Sequence, residues 1–329
     1  MKRMTEVEKE INDQKVDLEK VFSHFWEDRS KEKVAKLLER ADVVYLIGCG
    51  SSYYVSISAA KYLTQKTGME AKAIPGGEIV FYDQSNLSRN LKKVAFLISR
   101  SGESTEVVKA VHNLKKYGIP TIGVTLDEKS SLAKITDIKI VIPLIEKSVV
   151  MTKGFTSMLL TLQLEFDYFA GEKNEDVYKE IFNKMDQLIQ NYYQEASKEE
   201  LLASHLYVFL GMGPYEGIAR ESALKLEEMA LVKTEAYSTF EYRHGPKSLV
   251  EKGVSIIIFE SGQTLKEEEK LKAELENYGG MVLMNKKLTD GPEDLFARVI
   301  FSQILGLKIA ERKGVDVEKP RNLTKVVVL

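Results

Sequence analysis

The 329-residue sequence predicts an α/β chain built on parallel sheets, and three observations predict it. Short apolar runs of strand length alternate with helix-compatible stretches. The alternation recurs from about His205 onward, giving two halves of similar design. Glycine and acidic markers then repeat between the halves: Gly48 and Gly50 as Gly211 and Gly213, and Glu78 as Glu241, share one offset, and Ser101-Gly102 matches Ser261-Gly262 at nearly the same one. Any two α/β domains place glycine after their first strand, which is the plainer explanation; several markers in register favour a duplicated domain.

The elements follow in order. The opening MKRMTEVEKEINDQKVDLEKVF is too charged for a secretory signal and reads as a helical segment within residues 1–40. VVYLIG (43–48), VAFLIS (94–99), TIGVT (121–125) and IKIVIP (138–143) have the unbroken apolar character of strands buried on both faces, as in a parallel sheet. Helices fit between them from Ser51 to Gln65 and from Thr105 to Tyr117, the second stopped by Gly118 and Pro120. Residues 154–196 look mainly helical, with a surface turn at GEKNED (171–176). LYVFLG (206–211), VSIIIF (254–259) and MVLM (281–284) are the strands of the second half. The expected division is a helical segment over 1–40, a first domain over 41–170, a helical linker over 171–196, and a second domain with a C-terminal tail over 197–329.

Composition excludes several classes. Lys and Arg number 47 against 49 Asp and Glu, a net charge of -2, so there is no basic field to attract nucleic acid. Cys49 is the only cysteine, which rules out an intramolecular disulfide or a multi-thiolate zinc site and fits a reducing compartment. Neither a metal nor another cofactor is expected. No run approaches the roughly 18 apolar residues of a membrane span, and the chain is expected to be cytoplasmic.

Two loops suggest an anion. GCGSS (48–52), comprising Cys49, Gly50, Ser51 and Ser52 after Gly48, follows a strand and opens a helix, where backbone N–H groups and the helix dipole favour a phosphate. It matches neither GxGxxG nor GxxxxGK[ST], so a dinucleotide or nucleoside triphosphate lacks its defining residues. SRSGES (99–104) also follows a strand and precedes a helix, and two such strand ends can converge at one crevice. Ser52, Ser99, Ser101 and Ser104 supply hydroxyls, although serines before helices commonly serve as caps. In the second half, Glu221, Lys225 and Glu228 share one helical face. A solvated salt-bridge face is the common fate of such a triplet. RHGP (243–246) shortly afterward adds a loop histidine, and a histidine with a glutamate makes a plausible acid–base pair. His24, His112 and His205 lack such context, and GxSxG is absent. The tail DVEKPRNLTKVVVL (316–329) could pair its apolar end with a sheet and so hold Lys325 in place.

GCGSSYYVS, SRSGES, VMTKGFT (150–156), ALKLEEMALVKTEAYSTFEYRHGP and DVEKPRNLTK occur in the order of a known family. The chain resembles the tandem sugar isomerase (SIS) proteins and is similar to the isomerase half of glucosamine-6-phosphate synthase. The resemblance implies two flavodoxin-like SIS domains, each a parallel sheet flanked by helices. It implies that Cys49, Gly50, Ser51, Ser52, Ser99, Ser101, Ser104 and the backbone around Arg100 hold a sugar phosphate, with Val149 near the sugar. It assigns Glu228 to proton transfer between C1 and C2, His244 to ring opening from a neighbouring subunit, and Lys325, beside Thr324, to the sugar carbonyl. Lys225 would support the glutamate, and a homodimer with a shared site follows. Arg100 stands where the synthase has glutamine and Met151 where it has serine.

Met1-Lys2 does not supply the cysteine of a glutaminase, and the residues before Val43 are too few for the DNA-binding domain of SIS regulators. The expected reaction is therefore the deamination of glucosamine 6-phosphate to fructose 6-phosphate and ammonia. The alternatives are a fructosamine-6-phosphate deglycase, an aldose–ketose isomerase, or a non-enzymatic sugar-phosphate sensor.

Overall fold

The computed structural model describes residues 4–326. Contacts divide the chain into two compact units. One comprises Val16–Glu146, Lys153–Glu175 and the chain from Thr324 onward; the other comprises the chain up to Lys15, Lys147–Thr152 and Asp176–Leu323.

In the first unit, β1 (Val43–Gly48), β2 (Glu70–Pro75), β3 (Lys93–Ile98), β4 (Thr121–Thr125) and β5 (Ile138–Val141) form one sheet in the order β2-β1-β3-β4-β5. Every pairing is parallel, with Val43 opposite Glu70 on one side and Lys93 on the other. The order reverses at β1, so the crevice between the ends of β1 and β3 is the switch point where doubly wound sheets bind ligands. β1 and β4 are buried at every position, as the unbroken apolar runs required. β2, EAKAIP, is an edge strand largely open to solvent. Tyr45, Ile47, Leu97, Val107, Val111 and Leu132 belong to the core on one face. The helix Ser51–Thr67 packs on β1, β2 and the helix Lys153–Ala170. This last helix is buried from Lys153 through Asp167. Its buried Asp167 is satisfied by the Tyr62 hydroxyl at 2.6 Å and the Asn174 amide at 3.1 Å.

In the second unit, β6 (Leu206–Leu210), β7 (Lys233–Tyr237), β8 (Val254–Phe259) and β9 (Met281–Asn285) pair in the order β7-β6-β8-β9, again all parallel. Val208, Leu210, Tyr242, Ile256, Ile258 and Leu271 form its core. Arg298 is fully buried here, ion-paired to Asp294 at 3.1 Å and 5.0 Å from the Tyr215 ring. The two sheets share a device at the end of their first strand. A Cβ on Gly48 would lie 2.5 Å from the Ser52 backbone, and one on Gly211 would lie 2.2 Å from the Tyr215 carbonyl. In each case only glycine lets the first turn of the following helix close over the strand end. Among the described residues no helix is long and apolar enough to cross a membrane.

Candidate active site

The phosphate-binding candidates lie at the β1 and β3 ends, at the switch point of the first unit's sheet. After Gly48 the chain turns through Gly50, which has φ 54°, and enters the helix Ser51–Thr67. Ser51 and Ser52 are buried in its first turn. Cys49 turns toward Gly76 and Gly77; burial and the Glu106 carboxylate push its thiol pKa up, outweighing hydrogen bonds from those two backbones. In the neighbouring loop the Ser99 hydroxyl lies 3.2 Å from that of Ser104 and accepts the Gly102 N–H at 3.1 Å. The Ser101 hydroxyl accepts the Glu103 N–H at 3.2 Å. Ser104 occupies the N-cap position of the helix Thr105–Lys116, yet its side chain makes no capping bond. The capping explanation for this serine therefore fails. Gly102 has φ 66°, and a Cβ there would stand 2.2 Å from the Ser130 hydroxyl, so glycine is required where the loop closes on the segment after β4.

Arg100 directs its guanidinium to Glu146, with Nη1 2.9 Å from Oε2 of a fully buried carboxylate. The other carboxylate oxygen accepts the Gly154 N–H at 2.8 Å. A second guanidinium nitrogen donates to the Lys325 carbonyl at 3.2 Å, and the Lys325 ammonium donates to the Glu146 carbonyl at 2.5 Å. Arg100 and Glu146 thus fix the tail at Lys325. The Thr324 hydroxyl donates to the Val326 carbonyl at 2.8 Å. The strand pairing expected of the closing apolar run falls largely on Val327–Leu329, outside the described residues.

The acid–base candidates belong to the second unit. Glu221, Lys225 and Glu228 lie on the helix Tyr215–Ala230, whose Ala, Leu, Lys, Glu and Met content favours helix. The helix ends at Leu231, which is left-handed (φ 52°), and its last carbonyls receive the Lys313 ammonium, at 2.8 Å to Ala230 and 2.9 Å to Leu231. The triplet is not a solvated face. Lys225 and Glu221 are fully buried, and the ammonium lies 3.4 Å from Glu221 and in direct contact with Glu228. Burial alone would lower the Lys225 pKa; the two carboxylates outweigh it and raise it. Glu228, with 18% of its side chain exposed, is the carboxylate open to a ligand.

His244 follows the 3-10 turn Glu241–Arg243 and is exposed. Gly245, at φ 128°, turns the chain into a second short turn opened by Pro246. Glu274 grips both flanks of the histidine, accepting from Arg243 at 3.0 Å and Lys247 at 2.6 Å. These two cations hold the Glu274 carboxyl below its usual range. Val149 is partly exposed and belongs to the second unit, whereas Met151 is buried. Glu146, Glu274 and Glu10, which accepts the Lys147 N–H at 2.5 Å, were not singled out in the sequence. Glu10 and Glu274 read there as further acidic residues in charged stretches, and Glu146 as a lone carboxylate after an apolar run. Among the described residues no three His, Cys, Asp or Glu side chains gather as a metal site.

The model of the SIS domain family matches residues 37–166, the region of the five-stranded sheet. Glutamine–fructose-6-phosphate aminotransferase (isomerizing) of Sulfurisphaera tokodaii is 28% identical over 91% of this chain and 52% of its own length. The chain spans about half the length of the curated relatives it matches. Among solved structures, glucosamine-6-phosphate deaminase from Thermotoga maritima is 37% identical with a TM-score of 0.90, covering 99% of this chain and 100% of that one. Tagatose-6-phosphate ketose/aldose isomerase from Escherichia coli shares the fold at 21% identity and a TM-score of 0.84, covering 99% and 96%.

Proposed function

The chain belongs to the SIS-domain family of phosphosugar isomerases, and from that premise we propose that it is a glucosamine-6-phosphate deaminase, converting its substrate and water to fructose 6-phosphate and ammonia. The observation that carries the reading is the buried Lys225 between Glu221 and Glu228, which equips one accessible carboxylate for proton transfer. The choice of deamination rests on likeness to the Thermotoga deaminase along the whole of both chains. We extend the SIS assignment to the second sheet, supported by its β7-β6-β8-β9 order and the glycine shared by both first strands. The domains are then 41–170 and 197–329, with 1–40 and 171–196 as helical additions.

In this reading Ser51, Ser52, Ser99, Ser101 and Ser104, with the backbones of Cys49, Gly50 and Arg100, hold the phosphate by hydroxyl and N–H donors. His244 assists ring opening. Glu228 removes the C2 proton and returns it at C1, which converts the amine carbon into an imine that water hydrolyses. Lys225 keeps the glutamate oriented, and Lys325, with Thr324 beside it, supplies positive charge near the sugar oxygen.

The test is ammonia release from glucosamine 6-phosphate, with fructose 6-phosphate followed in parallel. Equal amounts of both are expected. Ketose formation without ammonia would replace the deaminase with an isomerase, and amino acid release from fructosamine 6-phosphates would make it a deglycase. Tight binding with no product over hours would leave a sensor.

The exposed position of His244 supports a homodimer in which this residue serves the neighbouring subunit. Glu228→Gln and His244→Ala chains, each inactive alone, should then recover activity when mixed and allowed to exchange subunits, since half the sites of a heterodimer are intact. Absence of recovery despite demonstrated exchange would place both residues within one chain's site.

A further inference from the structure

We infer that Glu10 is a positioning residue that sets the turn carrying Val149; the inference rests on the reading of Val149 as a sugar contact. Glu10 projects from the short helix Glu6–Asn12 and is 3% exposed. Its carboxylate accepts the Lys147 N–H at 2.5 Å, the Ser148 N–H at 3.3 Å, and the Ser148 hydroxyl. That hydroxyl also lies 3.0 Å from the Val150 carbonyl. It has one proton to donate, and the carboxylate oxygen is the nearer acceptor. A buried carboxylate is costly unless such donors surround it, and three of them come from two successive residues of this turn.

The far end of the segment is held as well. The Thr152 carbonyl accepts the Gln303 amide at 3.1 Å, and the Gln303 carbonyl oxygen accepts the Gln14 amide at 2.8 Å. Both glutamines are fully buried. From Ser148 to Thr152 every residue is buried except Val149, which stays partly open. The first helix and the last long helix therefore hold the segment Lys147–Thr152 at both ends, and after the exposed Lys147 only Val149 stays partly open. A backbone held at both ends presents Val149 at a set height and angle, which geometric recognition of a sugar requires.

The test is calorimetric titration of fructose 6-phosphate into wild type, Glu10→Gln and Ser148→Ala, with ammonia-release kinetics on glucosamine 6-phosphate alongside. Glu10→Gln should weaken binding and raise KM about tenfold, with kcat within about threefold of wild type; Ser148→Ala should weaken binding about threefold. Ser148→Ala removes a single oxygen and carries the test if Glu10→Gln does not fold. Wild-type affinity in folded variants would overturn the inference, as would a loss confined to kcat. Wild type that binds fructose 6-phosphate but releases no ammonia would refute the deaminase reading alone, and the affinity ratios would still decide the role of Glu10. Wild type that does not bind the sugar phosphate would sink both.

Discussion

Glu228→Gln should lower turnover roughly 10²- to 10⁴-fold, the usual worth of a positioned proton shuttle, while sugar-phosphate affinity stays within a few-fold. The amide keeps the shape of the carboxylate and can still accept from Lys225, but it cannot carry the C2 proton. The groups assigned to the phosphate are on loops of the other unit, so the substitution leaves them unchanged. Steady-state kinetics with calorimetric binding separates the two quantities. Exchange of the C2 hydrogen with solvent, followed with labelled substrate, should fall in parallel with turnover. A variant retaining wild-type turnover would remove Glu228 from the mechanism.

Lys225→Met should cost about 3–5 kcal/mol of stability, the range found when one partner of a buried ion pair is removed. Glu221 is fully buried with this ammonium 3.4 Å away, so the substitution takes a cation away from a buried carboxylate. In the wild type, the Lys225 pKa is raised above its ordinary 10.5. Its contribution is therefore fully present below that value and is lost only as pH rises through the raised one, so the neutral range leaves it intact. Thermal melts of both proteins between pH 5 and pH 8 check this. Adding Glu221→Leu to Lys225→Met should recover much of the loss, because an apolar pair of similar volume replaces the ionic one. A Lys225→Met melt equal to wild type would mean that the pair contributes nothing to folding.

The strands legible in the sequence were those that form short runs rich in apolar residues. VVYLIG, TIGVT and VSIIIF coincide with β1, β4 and β8 to the residue. EAKAIP and KTEAY, which form β2 and β7, escaped because charged and small residues break their apolar character, which an edge position tolerates; the other two edge strands, β5 and β9, kept the apolar runs IKIV and MVLM and were legible. The glycine markers were legible for a steric reason, since the same close approach recurs after both first strands. Helical spacing placed Glu221, Lys225 and Glu228 on one face but could not tell water from core. That distinction depends on what packs there, including the helix Ile300–Lys313, where Gly306 permits close contact with Met229. Glu10 and Glu146 were invisible because their partners are distant in the chain: Glu10 serves Lys147 and Ser148, and Glu146 serves Arg100. Long-range pairing of ordinary acidic residues leaves no local signature.

Glu228 is ion-paired with a residue of its own helix. Lys225 lies one turn before it, and Glu221 balances the lysine one turn earlier still. A 16-residue helix thus carries the whole Glu221–Lys225–Glu228 charge row, set by its own spacing. If the proposed roles hold, the strand-end loops can be rebuilt for a different phosphorylated sugar without touching this helix. Transplanting the helix into a scaffold of the same architecture should likewise carry its electrostatics with it, provided the recipient keeps the lysine dry.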